Sequence, residues 1–264
     1  MADIQSAKSN VVVQTAVPDG RVTTERPPWN PTPVQRKSLP NAGGVYAARH
    51  LDIWLKKTSG TARANRAPAT TAPDGSPEWA EQHSHQTVLQ QHCDFFDTDN
   101  DGIIWPIDTY RGFYALGFGF LLSLLSVFIV HLSFSYPTCP SILPDPFFRL
   151  YLANIHKAKH GSDTGTYDNE GRFVPQKFED FFNKYSNGKN GVTATDLWEA
   201  LKGQRVIMDP IGWGGAFFEW AATYIMLWPE DGVLKREDVR RVYDGSIFVD
   251  IASKRAGSAK TKAA

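Results

Sequence analysis

The sequence predicts a mainly α-helical protein in which EF-hand-like helix–loop–helix modules surround a long apolar segment, after a disordered N-terminal arm. Three observations predict this class. An acidic twelve-residue loop stands between two helix-like stretches at 97–108. A stretch without Asp, Glu, Lys or Arg runs from Phe113 to Tyr136. Before both, the chain is rich in proline, alanine and threonine as far as about residue 80.

Composition excludes several classes of protein. The 264 residues can bury a sizeable core without disulfide or metal staples. Because 28 Lys and Arg balance 28 Asp and Glu, a nucleic-acid partner is not expected. Cys93 and Cys139 have no CxxC spacing, which argues against a zinc or iron–sulfur site. The polar residues 1–10 predict no signal peptide and a chain that starts in the cytosol.

The N-terminal arm, residues 1–80, is expected to be mostly disordered. Its proline-rich composition cannot repay the entropy of ordering by burying apolar surface. One exception is 45–57, which favours a short helix with an apolar face. Such a helix would dock on the body of the protein or on a membrane surface.

The acidic loop fits the spacing of an EF-hand calcium site. Asp97, Asp99 and Asp101 place carboxylates at positions one, three and five, which suits a cation that prefers several oxygen ligands. Gly102 permits the positive φ that the turn needs, and Ile103 is expected to offer its carbonyl oxygen. The region 81–111 is therefore predicted to bind one divalent ion.

The last loop position departs from the usual pattern. Asp108 stands where a longer Glu normally supplies two oxygens, so weaker calcium binding and a narrower preference over magnesium are expected. Two further stretches, 178–201 and 228–240, have the outline of helix–loop–helix modules but lack the carboxylates. They are predicted to pack together without binding calcium, inside a helical C-terminal domain over 148–252.

The apolar segment, taken as 112–147, is long enough to cross a bilayer, which needs about 20 residues. It is apolar on every face, whereas a buried helix of a soluble protein usually keeps a polar stripe. Contact with lipid is therefore favoured over a core helix. The segment ends in a dense group of prolines that cannot continue a helix: Pro137, Pro140, Pro144 and Pro146.

The histidines admit two interpretations when only their spacing is considered. His156 and His160 are four residues apart on a helix predicted over 147–159, so they would share one face. Such a pair can hold a metal ion, but a surface pair is favoured because the HExxH pattern is absent. Signatures of other enzymes, such as GxSxG, a Walker loop or GxGxxG after a strand, are also absent from the sequence.

These motifs resemble the caleosin family. The resemblance covers Val88 to Ala252 in unbroken order, with an apolar run and a proline knot after the acidic loop. The long N-terminal arm and Asp108 depart from the commoner plant pattern, and the arm suggests a fungal-type member. Four stretches carry the resemblance: QQHCDFFD at 90–97, FF through NIHKAKHGSD at 147–163, TYDNEGRF at 166–173 and YDGSIF at 243–248.

The resemblance implies a calcium-dependent haem peroxygenase, with haem b and Ca²⁺ as cofactors. Such an enzyme transfers oxygen from fatty-acid hydroperoxides to unsaturated fatty acids and gives hydroxy and epoxy oxylipins. The implied haem-associated residues are His92, as the proximal iron ligand, and His160, as a second axial ligand or a distal acid–base. The implied calcium ligands are Asp97, Asp99, Asp101, Ile103 and Asp108.

The resemblance also implies a location on lipid droplets and the endoplasmic-reticulum membrane, facing the cytosol. If both histidines reach one haem, the apolar run must bend back as a hairpin or remain in one leaflet, with the prolines at its turn or exit. A homo-oligomer is left open, and residues 253–264 are expected to be a basic disordered tail. The alternative function is a calcium-regulated coat protein of the lipid droplet without significant catalysis.

Overall fold

The computed structural model describes residues 62–263, with side chains as far as residue 258. The described chain is mainly helical, as the sequence predicts, and its four strands are only two or three residues long. In chain order the elements are α1 (Pro77–Gln82), α2 (Val88–Asp94), β1 (Ile103–Ile104), α3 (Pro106–Leu116), α4 (Gly119–Thr138), β2 (Leu150–Tyr151), a 3₁₀-helix (Leu152–Ala158), α5 (Pro175–Tyr185), β3 (Gly191–Thr193), α6 (Ala194–Gln204), α7 (Pro210–Leu227), β4 (Val233–Lys235), α8 (Arg236–Tyr243) and α9 (Ser246–Ala263).

The four strands form two antiparallel pairs, and each pair joins two loops. β1 lies against β2 with Ile104 opposite Leu150, and β3 lies against β4 with Val192 opposite Leu234. All four of these residues are buried, so apolar side chains hold the loops together from inside. The second pair joins the α5–α6 unit to the α7–α8 unit, which are the stretches predicted to pack as helix–loop–helix modules.

An aromatic core lies beneath the second pair. Phe173, Phe178 and Phe182 are completely buried, and their rings meet at centroid distances of 4.9 to 5.4 Å. A smaller cluster of Leu116, Val242 and Phe248 joins α3 to the C-terminal helices. The two clusters therefore bring the calcium-loop region and the C-terminal domain into one body.

Residues 62–80 belong to the folded body, although the disordered arm was expected to extend to residue 80. Ala67 is only 1% exposed and lies in the aromatic core, and Arg63 pairs with Phe173 as an isolated β-bridge. The buried guanidinium of Arg240 donates to the Ala67 carbonyl at 3.1 Å and to Ser76 Oγ at 3.0 Å. These long-range contacts order a segment whose composition alone favours disorder. Residues 1–61, with the helix expected at 45–57, lie outside the described residues.

The apolar segment forms a helical hairpin with α3. The chain reverses at Gly117 and Gly119, whose φ values of +100° and +71° favour glycine. Within residues 62–263, α4 is the one helix long and apolar enough to cross a membrane, and most of its side chains face outward. The reversal therefore lies near the start of the apolar run, and the prolines lie at its exit. Insertion of α4 into lipid stays a prediction.

His131 holds the hairpin together from within α4. Its Nε2 lies 2.8 Å from Thr109 Oγ1 on α3, and its Nδ1 is hydrogen-bonded to the carbonyl of Phe148, beyond the prolines. The chain therefore leaves the hairpin close to where it entered. Its two ends then meet again as the β1–β2 pair.

The C-terminal tail is helical through Ala263, so the disorder expected over 253–264 is wrong for the described residues. Ile247 and Phe248 anchor the start of α9 in the smaller core cluster, and the Ala- and Lys-rich continuation has high helix propensity. The guanidinium of Arg255 lies against Gly117, where a Cβ atom would be only 2.2 Å from its Cζ. The tail thus reaches the turn of the hairpin.

Replacement of Arg240 is expected to destabilise the fold strongly. Its side chain is 2% exposed and donates to Asp244, Glu237, Ser76 and the Ala67 carbonyl. Arg240→Ala leaves the carboxylate of Asp244 buried without its partner, so we expect a loss of about 3–5 kcal/mol in the free energy of unfolding. Chemical denaturation measures the loss.

The matched control for this prediction is Lys202→Ala. Lys202 pairs with Glu199 on the surface, and both side chains are 52% exposed. A change within about 0.5 kcal/mol is expected there. Equal effects of the two substitutions would contradict the structural role assigned to Arg240.

Candidate functional site: a carboxylate loop and two histidines

The acidic loop brings three carboxylates together. Oxygen atoms of Asp97, Asp99 and Asp101 lie within 4.8 Å of one another. Asp97 is buried, and its two oxygens accept the backbone N–H groups of Asp101 at 3.2 Å and Gly102 at 2.9 Å. Gly102 has a φ of +79°, which allows the turn that directs these groups inward.

Bringing these carboxylates together is electrostatically unfavourable. Burial raises the pKa of Asp97, neighbouring Asp101 and Asp94 raise it further, and the two backbone N–H donors only partly oppose this. A divalent cation offsets the repulsion between carboxylates and replaces lost hydration with direct oxygen ligands. The geometry and charge of the loop suit such an ion.

Asp108 and Ile103 are placed differently from the three aspartates. Asp108 Oδ2 accepts the backbone N–H of Trp105 at 3.0 Å and so caps α3, and its carboxylate is not part of the cluster of three. Ile103, in β1, pairs with Tyr151 and donates its N–H to Asp101 Oδ1 at 2.7 Å. Of the five expected calcium ligands, three carboxylates are thus brought together and Asp108 lies apart.

The other three loops contain cations of their own, which sequence reasoning did not foresee. Lys189 Nζ lies 3.4 Å from Asp196 Oδ2 in the α5–α6 loop, and Lys235 pairs with Asp231 before α8. In the loop before β2, Arg149 Nε donates to Asp145 Oδ2 at 2.7 Å. These side chains neutralise the carboxylates that a metal ion would otherwise need. This arrangement supports the expectation that the two C-terminal modules do not bind calcium.

His92 lies on α2 and is oriented by the end of α8. Its Nδ1 is 2.7 Å from the carbonyl oxygen of Val242, and the Phe248 ring meets it edge-on at 5.1 Å. Burial lowers the pKa of His92, although the bond to Val242 and the charges of Glu219 and Asp244 oppose this. A neutral imidazole that donates from Nδ1 keeps the lone pair of Nε2 available.

The environment of His92 suits a metal ligand. Its Nε2 has no hydrogen-bond partner within residues 62–263, and the bond from Nδ1 to a carbonyl is the outer support that ligating histidines usually have. The neighbouring Cys93 is not a competing ligand, because burial raises the pKa of its thiol to about 12. The donor type of His92 and the support of its Nδ1 therefore suit a ligand of haem iron.

His160 lies just beyond the 3₁₀-helix rather than on an α-helix with His156. The predicted helix over 147–159 is wrong, because β2 and the three-residue turns of the 3₁₀-helix occupy that stretch. His160 Nε2 is 3.3 Å from Glu219 Oε1 on α7, and the ring packs against Gly215. This bond to Glu219 raises the pKa of His160, while partial burial opposes it.

Two features of His160 bear on a ligand role. Its Nδ1 is buried and has no partner among the described residues, whereas Nε2 is already paired with Glu219. No hydrogen bond or ring contact joins His160 to His92 in the described chain. The charge of Glu219 raises the pKa of both imidazoles, so one carboxylate connects the two sites electrostatically. Sequence reasoning missed Glu219, although it is the one charged residue of α7.

Comparison with known proteins places this chain in a family. The family model described as "Caleosin related protein" matches residues 84–252. A peroxygenase of Lilium longiflorum is 40% identical over 219 residues, which cover 82% of this chain and 91% of the relative. Probable peroxygenase 4 of Arabidopsis thaliana is 37% identical over 175 residues, with 66% and 90% covered. No solved structure matches the chain.

The chain belongs to the caleosin family, which confirms the resemblance drawn from its motifs. A further relative, named "Probable inactive peroxygenase-like protein" in Arabidopsis thaliana, is 35% identical over 149 residues, covering 56% of this chain and 71% of the relative. Family membership therefore does not by itself decide whether a given chain is active.

Calcium is expected to stabilise the protein through the three aspartates. At a calcium concentration one hundred times Kd, binding contributes about 2.7 kcal/mol, which raises Tm by about 5–10 °C in a chain of this size. Asp97→Ala with Asp99→Ala should abolish this rise in a thermal melt. Asp231→Ala is the control, because that carboxylate already pairs with Lys235 and should leave the rise intact. An equal rise in Tm with calcium in the double variant would show that these aspartates do not form a calcium site.

Asp108→Glu is expected to tighten calcium relative to magnesium by about tenfold, because the longer carboxylate reaches the loop and supplies two oxygens. A glutamate at this position can still cap the helix. Competitive titration of the two ions, followed by calorimetry, measures the ratio. Unchanged selectivity would mean that residue 108 acts as a helix cap and not as a ligand.

Proposed function

We propose that this protein is a calcium-dependent haem peroxygenase of lipid droplets, which transfers oxygen from fatty-acid hydroperoxides to unsaturated lipids. The relatives named peroxygenase support a peroxygenase of the caleosin type. The observation that carries the haem assignment is the half-buried imidazole of His92, fixed through Nδ1 with Nε2 left available. Haem b and Ca²⁺ are the proposed cofactors.

His92 would hold the haem iron through Nε2. A bound haem would supply the cleavage of the hydroperoxide O–O bond and the transfer of one oxygen atom. The carbonyl of Val242 keeps the imidazole in one tautomer and makes it a better electron donor. Tyr167 supports the same helix end, because its hydroxyl donates to the adjacent carbonyl of Tyr243 at 2.6 Å.

His160 is proposed to act as a distal acid–base. Its ring receives the proton of the incoming hydroperoxide and returns it to the departing oxygen. Glu219 stabilises the protonated imidazole, so His160 is a stronger base than an ordinary histidine. Because Nε2 is bonded to Glu219, Nδ1 is the nitrogen that would accept and return this proton, and a second axial ligand through Nδ1 is the alternative that the spectrum of His160→Ala distinguishes.

The proposed location is the lipid-droplet monolayer and the endoplasmic-reticulum membrane, with the folded body in the cytosol. The exposed apolar surface of α4 supports attachment, since lipid would cover side chains that water now meets. The hairpin geometry suits one leaflet, because His131 keeps the exit of α4 beside its entry. Fatty-acid hydroperoxides and unsaturated fatty acids would reach the protein from the same lipid.

The second candidate is a calcium-regulated coat protein of the droplet without significant catalysis. One relative carries the name "Probable inactive peroxygenase-like protein", which supports considering a chain of this kind without catalysis. In this alternative the calcium loop and the apolar hairpin are used, and His92 and His160 are structural. Haem content distinguishes the two functions directly.

Three single substitutions test the enzyme. His92→Ala is expected to lose haem absorbance and activity together, because alanine provides no ligand for iron. His160→Ala should keep the haem band and slow turnover by about 10²- to 10⁴-fold, the usual contribution of a positioned acid–base. Absorbance spectra and turnover of linoleate hydroperoxide with calcium present measure both.

His156→Ala is the control and should stay largely active, since His156 lies on the 3₁₀-helix without a role in the proposed site. An altered resting spectrum of His160→Ala would instead indicate a second axial ligand. Wild-type protein without a haem band, and without turnover, would exclude the enzyme in favour of the coat protein.

A further inference from the structure

A second apolar surface, distinct from α4, lies on α7 and the loop before it. Ile207 and Met208 at the loop tip are 88% and 87% exposed, almost as open as in an extended chain. Along α7, Ile211, Phe218 and Ile225 recur every seven residues and are all exposed, so they lie on one helix face. We call these five residues the α7 surface.

The conformation of the loop before α7 keeps the α7 surface exposed. Met208 has a φ of +58°, a conformation that costs free energy for a residue with a side chain. The side chains at the loop tip are exposed, so their burial does not offset this cost. Trp213 Nε1 donates to the Val206 carbonyl at 2.7 Å, and the Arg205 guanidinium stacks 4.8 Å above the Trp213 ring. Tryptophan and arginine with apolar neighbours are typical of side chains at a membrane interface.

The position of α7 identifies its occupant as lipid. At its C-terminal end, Met226 and Leu227 pack against the cluster that contains Leu116 of α3, and Phe118 at the turn of the α3–α4 hairpin packs against the same cluster. The C-terminal end of α7 therefore lies on the same cluster as the start of the apolar α4. Arg255 lies at the same turn, and it supplies the positive charge that suits anionic phospholipid headgroups.

We propose that the α7 surface is a second lipid-contact site, which lies at the boundary between headgroups and acyl chains of the membrane or monolayer that holds α4. A helix in this position does not cross the membrane and is held at its surface by burial of its apolar face. The neighbouring flank of α7 carries Gly215 and Glu219, which contact His160. Docking thus places His160 at the lipid surface, a consequence that rests on the proposed function.

Fluorescence quenching tests the proposal on the full chain. An environment-sensitive dye is attached at Ile207→Cys in a background in which Cys93→Ala and Cys139→Ser leave no other thiol in the chain. Vesicles of phosphatidylcholine and phosphatidylserine carry nitroxide groups at shallow depth. We expect quenching at least about fivefold stronger than for the same dye at Trp198→Cys, an exposed aromatic position on α6.

The same dye at Leu121→Cys on α4 reports the attachment of α4 to lipid separately. Quenching at Leu121→Cys without quenching at Ile207→Cys overturns the α7 proposal and leaves the attachment of α4 standing. Absence of quenching at both positions overturns both. Haem and turnover are not part of the measurement, so failure of the enzyme assignment does not affect it.

Two other occupants give different outcomes. If residues 1–61 cover the α7 surface, deletion of that segment exposes the Ile207→Cys dye to an aqueous quencher in lipid-free protein. If a second copy covers it, sedimentation shows a dimer that Ile207→Asp with Met208→Asp converts to monomer. Either result overturns the lipid assignment.

Discussion

The close contact between the C-terminal end of α8 and the backbone of α2 is the constraint on which the rest of the structure depends. Gly245 lies so near α2 that a Cβ atom would be 2.5 Å from the Gln91 carbonyl oxygen. Gly245 has a φ of +78°, which glycine adopts without strain, so the chain can turn there. Two carbonyls at the end of α8 accept from side chains elsewhere in the chain: Val242 accepts from His92 as well as from the N–H of Gly245, and Tyr243 accepts from Tyr167. One helix end thus orients the proposed iron ligand and closes the aromatic core.

The four paired loops show how one backbone shape accommodates different chemistry. Each is followed by a short strand and a helix, and each strand contributes a buried apolar residue to a pair. Where three aspartates meet, an external cation would offset their charge. Where Arg149, Lys189 or Lys235 enters the loop, the protein supplies the cation itself. The outline of a loop therefore does not define its function, whereas the identity of the residue that faces its carboxylates does.

Local patterns could be predicted from the sequence, and contacts between distant residues could not. The helical class, the length of the apolar helix and the acidic loop depend on periodicity and spacing within short windows. The order of residues 62–80 depends on Arg240, and the pairing of His160 depends on Glu219, which is 59 residues away. The position of the hairpin turn could not be predicted, because Gly117 and Gly119 lie in an apolar run and glycine is also common in membrane helices. The outward face of α7 was missed because its apolar residues equally suit a buried helix.

The β1–β2 pair has a consequence for the order of events during synthesis. The loop that carries the three aspartates leads into β1, but its partner β2 follows the entire apolar helix α4. During synthesis, the acidic loop and β1 therefore leave the ribosome before β2 has been made. β1 stays unpaired until synthesis has passed α4. The apolar α4 is thus exposed on the nascent chain before the β1–β2 pair can form, and exposed apolar surface makes such intermediates prone to aggregation. If the chain has the proposed function, lipid that covers α4 would protect it while the pair that closes the acidic loop forms.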